Sequence, residues 1–338
     1  MQKLNRWACA LTVVSGLVSA TAFAEEKAAG CKMVKVAELP TDTSTGNRVL
    51  VRGSIKGEET WFLFDTGAAM TIFDNTLLSH FGIAPSGPEY RVLGVAGETR
   101  SFHVTIADLM IGNFKVAGAN MSASATHFLP DNVYGLVGQD FINQFDLDID
   151  MAHNSIGLFQ FSSCRADPIY WAEKFSQADI STNSHGILVT VAVNGTPARA
   201  VLDTGASQTY VSTNLARRLG IDVNAIPPDA VQRFVGGVDQ HQFTSYRYKF
   251  DSVQIGDEIV KHPNLHIGNI VPISHEFSSA NRLEESNRSE FDMILGADFI
   301  RNHHIYVASR RGAMYFTWNG GSIFLPPKEE ALASAPAK

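Results

Sequence analysis

The chain reads as an all-β protein made of one unit written twice. Three observations predict this. First, LFDTGAAMT at Leu63 and VLDTGASQT at Val201 repeat Asp-Thr-Gly-Ala, each time after an apolar run. Second, the two Asp residues lie 138 positions apart, and the same offset pairs Leu50 with Leu188, Gly57 with Gly195, Thr71 with Thr209, Leu77 with Leu215 and Gly82 with Gly220. Self-similarity that holds one register over such a span marks a duplicated domain. Third, β-branched runs recur at short intervals between glycine-bearing turns, with room only for brief helices, which argues against βαβ units.

The N-terminus reads as an address. Lys3 and Arg6 precede the apolar stretch Trp7 to Ala20, and Ala22-Phe23-Ala24 supplies small residues two apart. The stretch is short for a membrane span, so residues 1–24 are expected to be a signal peptide cleaved after Ala24. No second long apolar run follows. The expectation is therefore an exported protein of bacterial type, periplasmic or secreted, with no membrane insertion after cleavage. Cys9 leaves with the signal peptide. Cys31 and Cys164 remain, an even pair in an exported chain, and are expected to form a disulfide. They bracket the first copy, residues 31–163. Residues 164–183 are expected to link it to the second copy, residues 184–327. The tail, residues 328–338, has little to bury and is expected to be disordered.

Within each copy the elements follow the same order. RVLVRGSI and GILVTVAV are β-branched strands, and KGEE and NGTP are turns where Gly takes positive φ. TWFLF and ARAVL are second strands ending at Asp65 and Asp203. TIFDNTLLSHFGI and TYVSTNLARRLGI each read as a short strand and a short helix. Asp74 or Asn75, and Ser212 or Thr213, are placed to cap these helices, and Gly82 and Gly220 to close them. RVLGVAGETRSFHV and RFVGGVDQHQFTSY read as hairpins, as do LMIGNFKV and VQIGDEIV. An apolar strand then meets Gly138 or Gly296 and enters a helix, with Asp140 or Asp298 read as its cap.

Charge and motif content exclude several functions. The net charge is -7, with no block of Lys or Arg, so neither nucleic acid nor an anionic membrane is an expected partner. His103, His127, His241, His262, His266, His303 and His304 show no metal-ligand spacing, and read as structural or exposed. His303 and His304 are adjacent and point opposite ways on a strand. No P-loop lysine and no G-x-S-x-G occurs. No cofactor and no metal is expected.

A duplicated Asp in a tight turn makes chemical sense if a pseudo-two-fold brings the copies together. Two carboxylates in contact cannot both ionise easily, so Asp65 and Asp203 would share one proton. One would then take a proton from water while the other donates to a carbonyl, which is general acid–base hydrolysis. Thr66 and Thr204 can each offer a hydroxyl to the opposing loop. Gly67 and Gly205 allow close approach, and Ala68 and Ala206 are small enough to line the pair.

These residues, with the apolar-apolar-Gly signatures Leu136-Val137-Gly138 and Ile294-Leu295-Gly296, resemble the retropepsin and pepsin superfamily of aspartic peptidases. The resemblance spans nearly all of the chain after the signal peptide. It implies two retropepsin-like β-barrel lobes with the active cleft between them. It implies flaps at Gly94-Val95-Ala96-Gly97 and Gly236-Gly237-Val238, and an extended polypeptide substrate with apolar side chains at the cut. Neither proposed flap tip holds a Tyr, so the chain resembles two fused retropepsin domains more than a pepsin. It would act as a monomeric pseudo-dimer. The competing reading is a peptide-binding or dimerisation module that has kept the turns without the chemistry.

Overall fold

A computed structural model describes residues 33–44, 48–93, 98–118, 120–161, 169–183, 186–236, 241–270 and 291–324. The expected signal peptide, Cys31, Cys164 and the tail lie outside these residues. Among the described residues there are 24 strands and four short α-helices, so the fold is all-β with two lobes. No helix among them is long and apolar enough to cross a membrane.

Near the start of each lobe is a hairpin whose turn is set by two left-handed residues. Lys56 and Gly57 have φ of 51° and 83°, and Asn194 and Gly195 have φ of 49° and 76°. Positive φ at both central positions gives the primed turn that matches strand twist. The second strand of each hairpin, Glu58–Phe64 or Thr196–Leu202, carries the chain into Asp65 or Asp203. Phe62 and Phe64 face the main core while Leu63 faces the other way, the alternation a strand demands. The short helices after each Asp turn start as the capping chemistry requires. Asp74 accepts from Thr76 N, and Ser212 accepts from Leu215 N.

The strand that carries the apolar-apolar-Gly signature sits between the chain's approach to each Asp and its departure. Val133–Val137 runs parallel to Glu58–Phe64 and antiparallel to Ile72–Asp74. Met293–Leu295 does the same with Thr196–Leu202 and Tyr210–Ser212.

One sheet joins the lobes. Its strand order is Lys35–Asp42, Ser155–Phe159, Asp146–Asp150, His303–Ala308, Ala313–Trp318 and Ser176–Asn183. The central pairing sets Leu147 opposite Val307 and Ile149 opposite Ile305. The expected linker is corrected here, because Ser176–Asn183 is a strand. It pairs with Ala313–Trp318 and then with Gly186–Val193, just as Lys35–Asp42 pairs with Ser155–Phe159 and then with Leu50–Ile55. It is the first strand of the second lobe. Ala178 and Ile180 are buried while their neighbours face outward, a weak alternation inside a polar stretch.

The outer face of the joining sheet is covered and mixed: Phe159, Tyr306, Ala308, Ala313 and Tyr315 form an apolar cluster beside a group of carboxylates. Asp146, Asp148 and Asp150 alternate with core-facing Leu147 and Ile149. His304 comes from the opposite lobe and sets Nε2 2.6 Å from Asp148 Oδ1 and Nδ1 3.4 Å from Asp150 Oδ2. Trp171 stacks on its ring with centroids 3.5 Å apart and donates Nε1–H to Thr317 Oγ1 at 2.8 Å. Tyr170 O–H donates to Asp148. Burial, then this bond, pushes the Tyr170 phenol up from its usual range. His303 points the other way, is fully buried, and contacts Phe299 O and Glu258. Both histidines are structural, and both are paired to carboxylates.

Removing His304 would leave Asp148 and Asp150 without the ring between them, and Trp171 without its stacking face. Leaving a buried hydrogen-bonding group without its partner costs about 1–3 kcal/mol. His304→Ala should therefore lower unfolding free energy by about 2 kcal/mol, read as a urea midpoint at constant slope. A change inside about 0.5 kcal/mol, the scatter of surface substitutions, would show that this cluster does not hold the lobes.

Candidate active site

The two Asp-Thr-Gly turns meet back to back and are bonded reciprocally. Thr66 Oγ1–H donates to Leu202 O at 2.6 Å and accepts Thr204 N–H at 3.0 Å. Thr204 Oγ1–H donates to Phe64 O and accepts Thr66 N–H at 3.1 Å. Both threonines are fully buried. Each hydroxyl thus reaches the strand that delivers the opposing Asp, and the crossing fixes the two turns to each other.

Gly67 and Gly205 lie against the opposite carboxylates. A Cβ at Gly67 would stand 2.5 Å from Asp203 Cγ, and one at Gly205 would stand 2.4 Å from Asp65 Cγ. No side chain fits there. The turn amides face the carboxylates. Gly67 N–H donates to Asp65 Oδ1 at 3.0 Å, while Gly205 and Ala206 N–H donate to Asp203 Oδ1 at 2.8 and 3.0 Å.

The carboxylates are enclosed, Asp203 buried and Asp65 half-buried. Burial holds Asp65 well above the usual carboxylate range, and the neighbouring Asp203 charge and hydrogen bond push it further. Asp203 is also raised by burial, but its turn amides, the bond from Asp65 and the Arg48 charge oppose the rise. Burial and the like charge therefore favour one proton held by the pair.

Behind each turn lies a support that the sequence reading misassigned. Asp140 and Asp298 are not helix caps, since Gly138 and Gly296 occupy the cap positions with no side-chain bond. Asp140 Oδ1 accepts Phe141 N–H inside the helix at 2.9 Å, and it also accepts Thr71 N–H and Oγ1–H at 2.9 and 2.6 Å. Asp298 accepts the same groups of Thr209 at 3.0 and 2.6 Å. Each threonine oxygen also accepts the N–H of Gly138 or Gly296. A Cβ on Gly138 would sit 2.5 Å from the Met70 carbonyl, so this glycine lets the signature strand touch the turn. Burial pushes the Asp298 carboxyl up to about 6. Gln139, also unforeseen, donates to Thr66 O at 2.5 Å. It has no counterpart in the second lobe, where Ala297 follows the glycine, so the repeat offered no signal for it.

Apolar walls flank the pair. Leu50, Leu63, Ala68, Ile72, Phe128, Leu129, Val133 and Leu136 form a cluster apart from the main core, with Val92 packed on it. Leu188, Val201, Tyr210, Ile270, Phe291 and Ile294, with Ala206 packed on them, form its counterpart. Val92 belongs to the hairpin Ser86–Leu93 and Glu98–Val104; the second lobe has the hairpin Val231–Gly236 and His241–Lys249. The expected flap tips Gly94, Val95, Ala96, Gly97, Gly237 and Val238 lie outside the described residues. Gly236 ends a strand opposite His241. His266 lies beside Tyr210 with ring centroids 5.4 Å apart, and burial, then Arg247, lowers its imidazole to about 4.

The profile of a known family, described as aspartyl protease, matches residues 51–141 and 189–299. The chain belongs to the aspartyl protease family. The two matched segments hold one Asp-Thr-Gly turn and one apolar-apolar-Gly signature each, so both halves of this aspartyl protease carry the family pattern. No curated protein matches the chain.

The raised carboxyls have a consequence for stability. A group whose folded value exceeds its unfolded one contributes stability that is full below the unfolded value and lost as pH rises through the folded one. Asp65, Asp203 and Asp298 all have this sign. Unfolding free energy should fall from about pH 4 towards neutral. Asp65→Asn should flatten that fall and make the protein more stable than its parent at pH 7. Urea melts at several pH values would read it, and an unchanged slope would contradict the pairing of the two charges.

Proposed function

We propose that this aspartyl protease is an endopeptidase that hydrolyses extended polypeptides with water activated by Asp65 and Asp203. The observation that carries this is the meeting of two like carboxylates, each against the other's turn glycine and hydrogen-bonded to its own turn amides. Such an arrangement is costly unless the shared proton is used.

The asymmetry of the pair assigns roles. Each carboxylate faces its own turn amides, and the Arg48 charge acts on Asp203 alone, so Asp203 is taken as the ionised partner that accepts a proton from water as that water attacks the scissile carbonyl. Asp65, protonated, donates to the carbonyl oxygen. Collapse of the tetrahedral diol returns a proton to Asp65. Asp203 then gives its proton to the leaving nitrogen as the C–N bond breaks, and the starting state is restored. The apolar walls on either side support a preference for apolar side chains at the cut. Both carboxylates come from one chain, so one copy would suffice as a pseudo-dimer. The N-terminal pattern supports an exported enzyme, with Cys31 and Cys164 bonded.

Hydrolysis of a mixed peptide library should follow a bell in pH, with both limbs belonging to the pair. The acid limb marks loss of the single negative charge, and the alkaline limb loss of the shared proton. Asp65→Asn and Asp203→Asn should each lower turnover by about a thousandfold or more, and the double change should add little, because the two act as a unit. Substantial turnover in either single variant would overturn the assignment.

A further inference from the structure

Asp74 does more than cap a helix. It is fully buried, at the end of the strand that leaves the first Asp-Thr-Gly turn. Oδ1 accepts Thr76 N–H and Oγ1–H at 2.9 and 2.5 Å. Oδ2 reaches into another loop, accepting His127 Nδ1–H at 2.8 Å and Phe128 N–H at 3.2 Å. Phe128 and Leu129, the next two residues, enter the first apolar wall beside Leu63, Ala68 and Leu136. Leu63 lies two residues before Asp65 and Ala68 three after it.

Among the described residues the second lobe shows no such device. The repeat places Ser212 where Asp74 stands, and its single oxygen accepts Leu215 N–H. A serine has no second oxygen with which to hold a loop. Among the described residues the latch belongs to the first lobe.

We propose that His127 is a positioning residue that, through Asp74, pins Phe128 and Leu129 into the first-lobe wall and so sets the fit of an apolar substrate side chain beside the dyad. The inference rests on the proposed peptidase activity and adds the residue that shapes one side of its specificity. Nδ1–H on neutral imidazole is enough for the buried bond. The groups facing the ring are Asp74, Thr76 at 3.5 Å and Asp131, which stands 3.3 Å from Nε2 and is almost fully exposed. An exposed contact of that kind is weak, so the latch does not depend on imidazole charge.

The test compares peptides differing only in a Phe, Leu or Ala at the cleaved bond. His127→Ala should raise KM for the Phe and Leu peptides about tenfold with kcat within about twofold, and move KM for the Ala peptide less than twofold. His127→Asn, whose Nδ2 stands near the place of Nδ1, should restore the parent pattern. Phe128→Ala should reproduce the His127→Ala pattern. The ring is part-exposed, and circular dichroism of each variant would confirm the parent fold. Equal KM values for parent and His127→Ala across the three peptides would overturn the latch while leaving the peptidase reading intact. A loss confined to kcat, or one that Asn does not rescue, would also overturn it. No hydrolysis by the parent chain would overturn the peptidase reading and this role together.

Discussion

Four hydrogen bonds between Thr66 and Thr204 and the strands behind them join the halves of this protein at its most crowded point. They place two carboxylates where electrostatics alone would separate them. On each side one hydroxyl donates and accepts at once, while the backbone N–H of the same residue donates across the same gap. Serine offers the same polar atoms without the methyl that helps fill a fully buried position. Everything about the dyad depends on this crossing, since neither lobe supplies more than one carboxylate.

A second junction lies in the sheet that runs through both lobes. There Leu147, Ile149, Ile305 and Val307 turn inward to one core while Asp148, Asp150 and His304 turn outward beneath Tyr170 and Trp171. Two junctions at different places constrain how far one lobe can rotate against the other. The first sets atomic distances between the turns. The second adds buried apolar contacts through Leu147, Ile149, Ile305 and Val307 that oppose separation.

The duplicated turns, the glycine-bearing hairpin turns and the helix starts, with Asp74 or Asn75 and Ser212 or Thr213 as candidate caps, were legible because each depends on neighbours in sequence. So was the pairing of Thr66, Gly67, Thr204 and Gly205 with opposite loops, because the repeat doubled every clue. Asp140 and Asp298 were visible but misassigned. Their place as the second residue of a short helix resembles a cap, and only the fold shows that their carboxylates also bind Thr71 and Thr209. Ser176–Asn183 was lost to its polar outward positions. The partners of His303 and His304 could not be read, because Glu258 is 45 residues away in the chain and Asp148 comes from the other lobe. Gln139 breaks the repeat and so left no trace in it.

The central claim is that Asp65 and Asp203 hold one proton between them. The most direct measurement is a pH titration of the aspartate carboxyl carbons by 13C NMR, with Asp65→Asn and Asp203→Asn giving the assignments. The account predicts two coupled steps, seen at both residues, separated by a broad range in which the pair carries a single proton. Removing either Asp should turn the other's titration into one step. Two independent titrations within the ordinary carboxylate range, unchanged by loss of the partner, would contradict it.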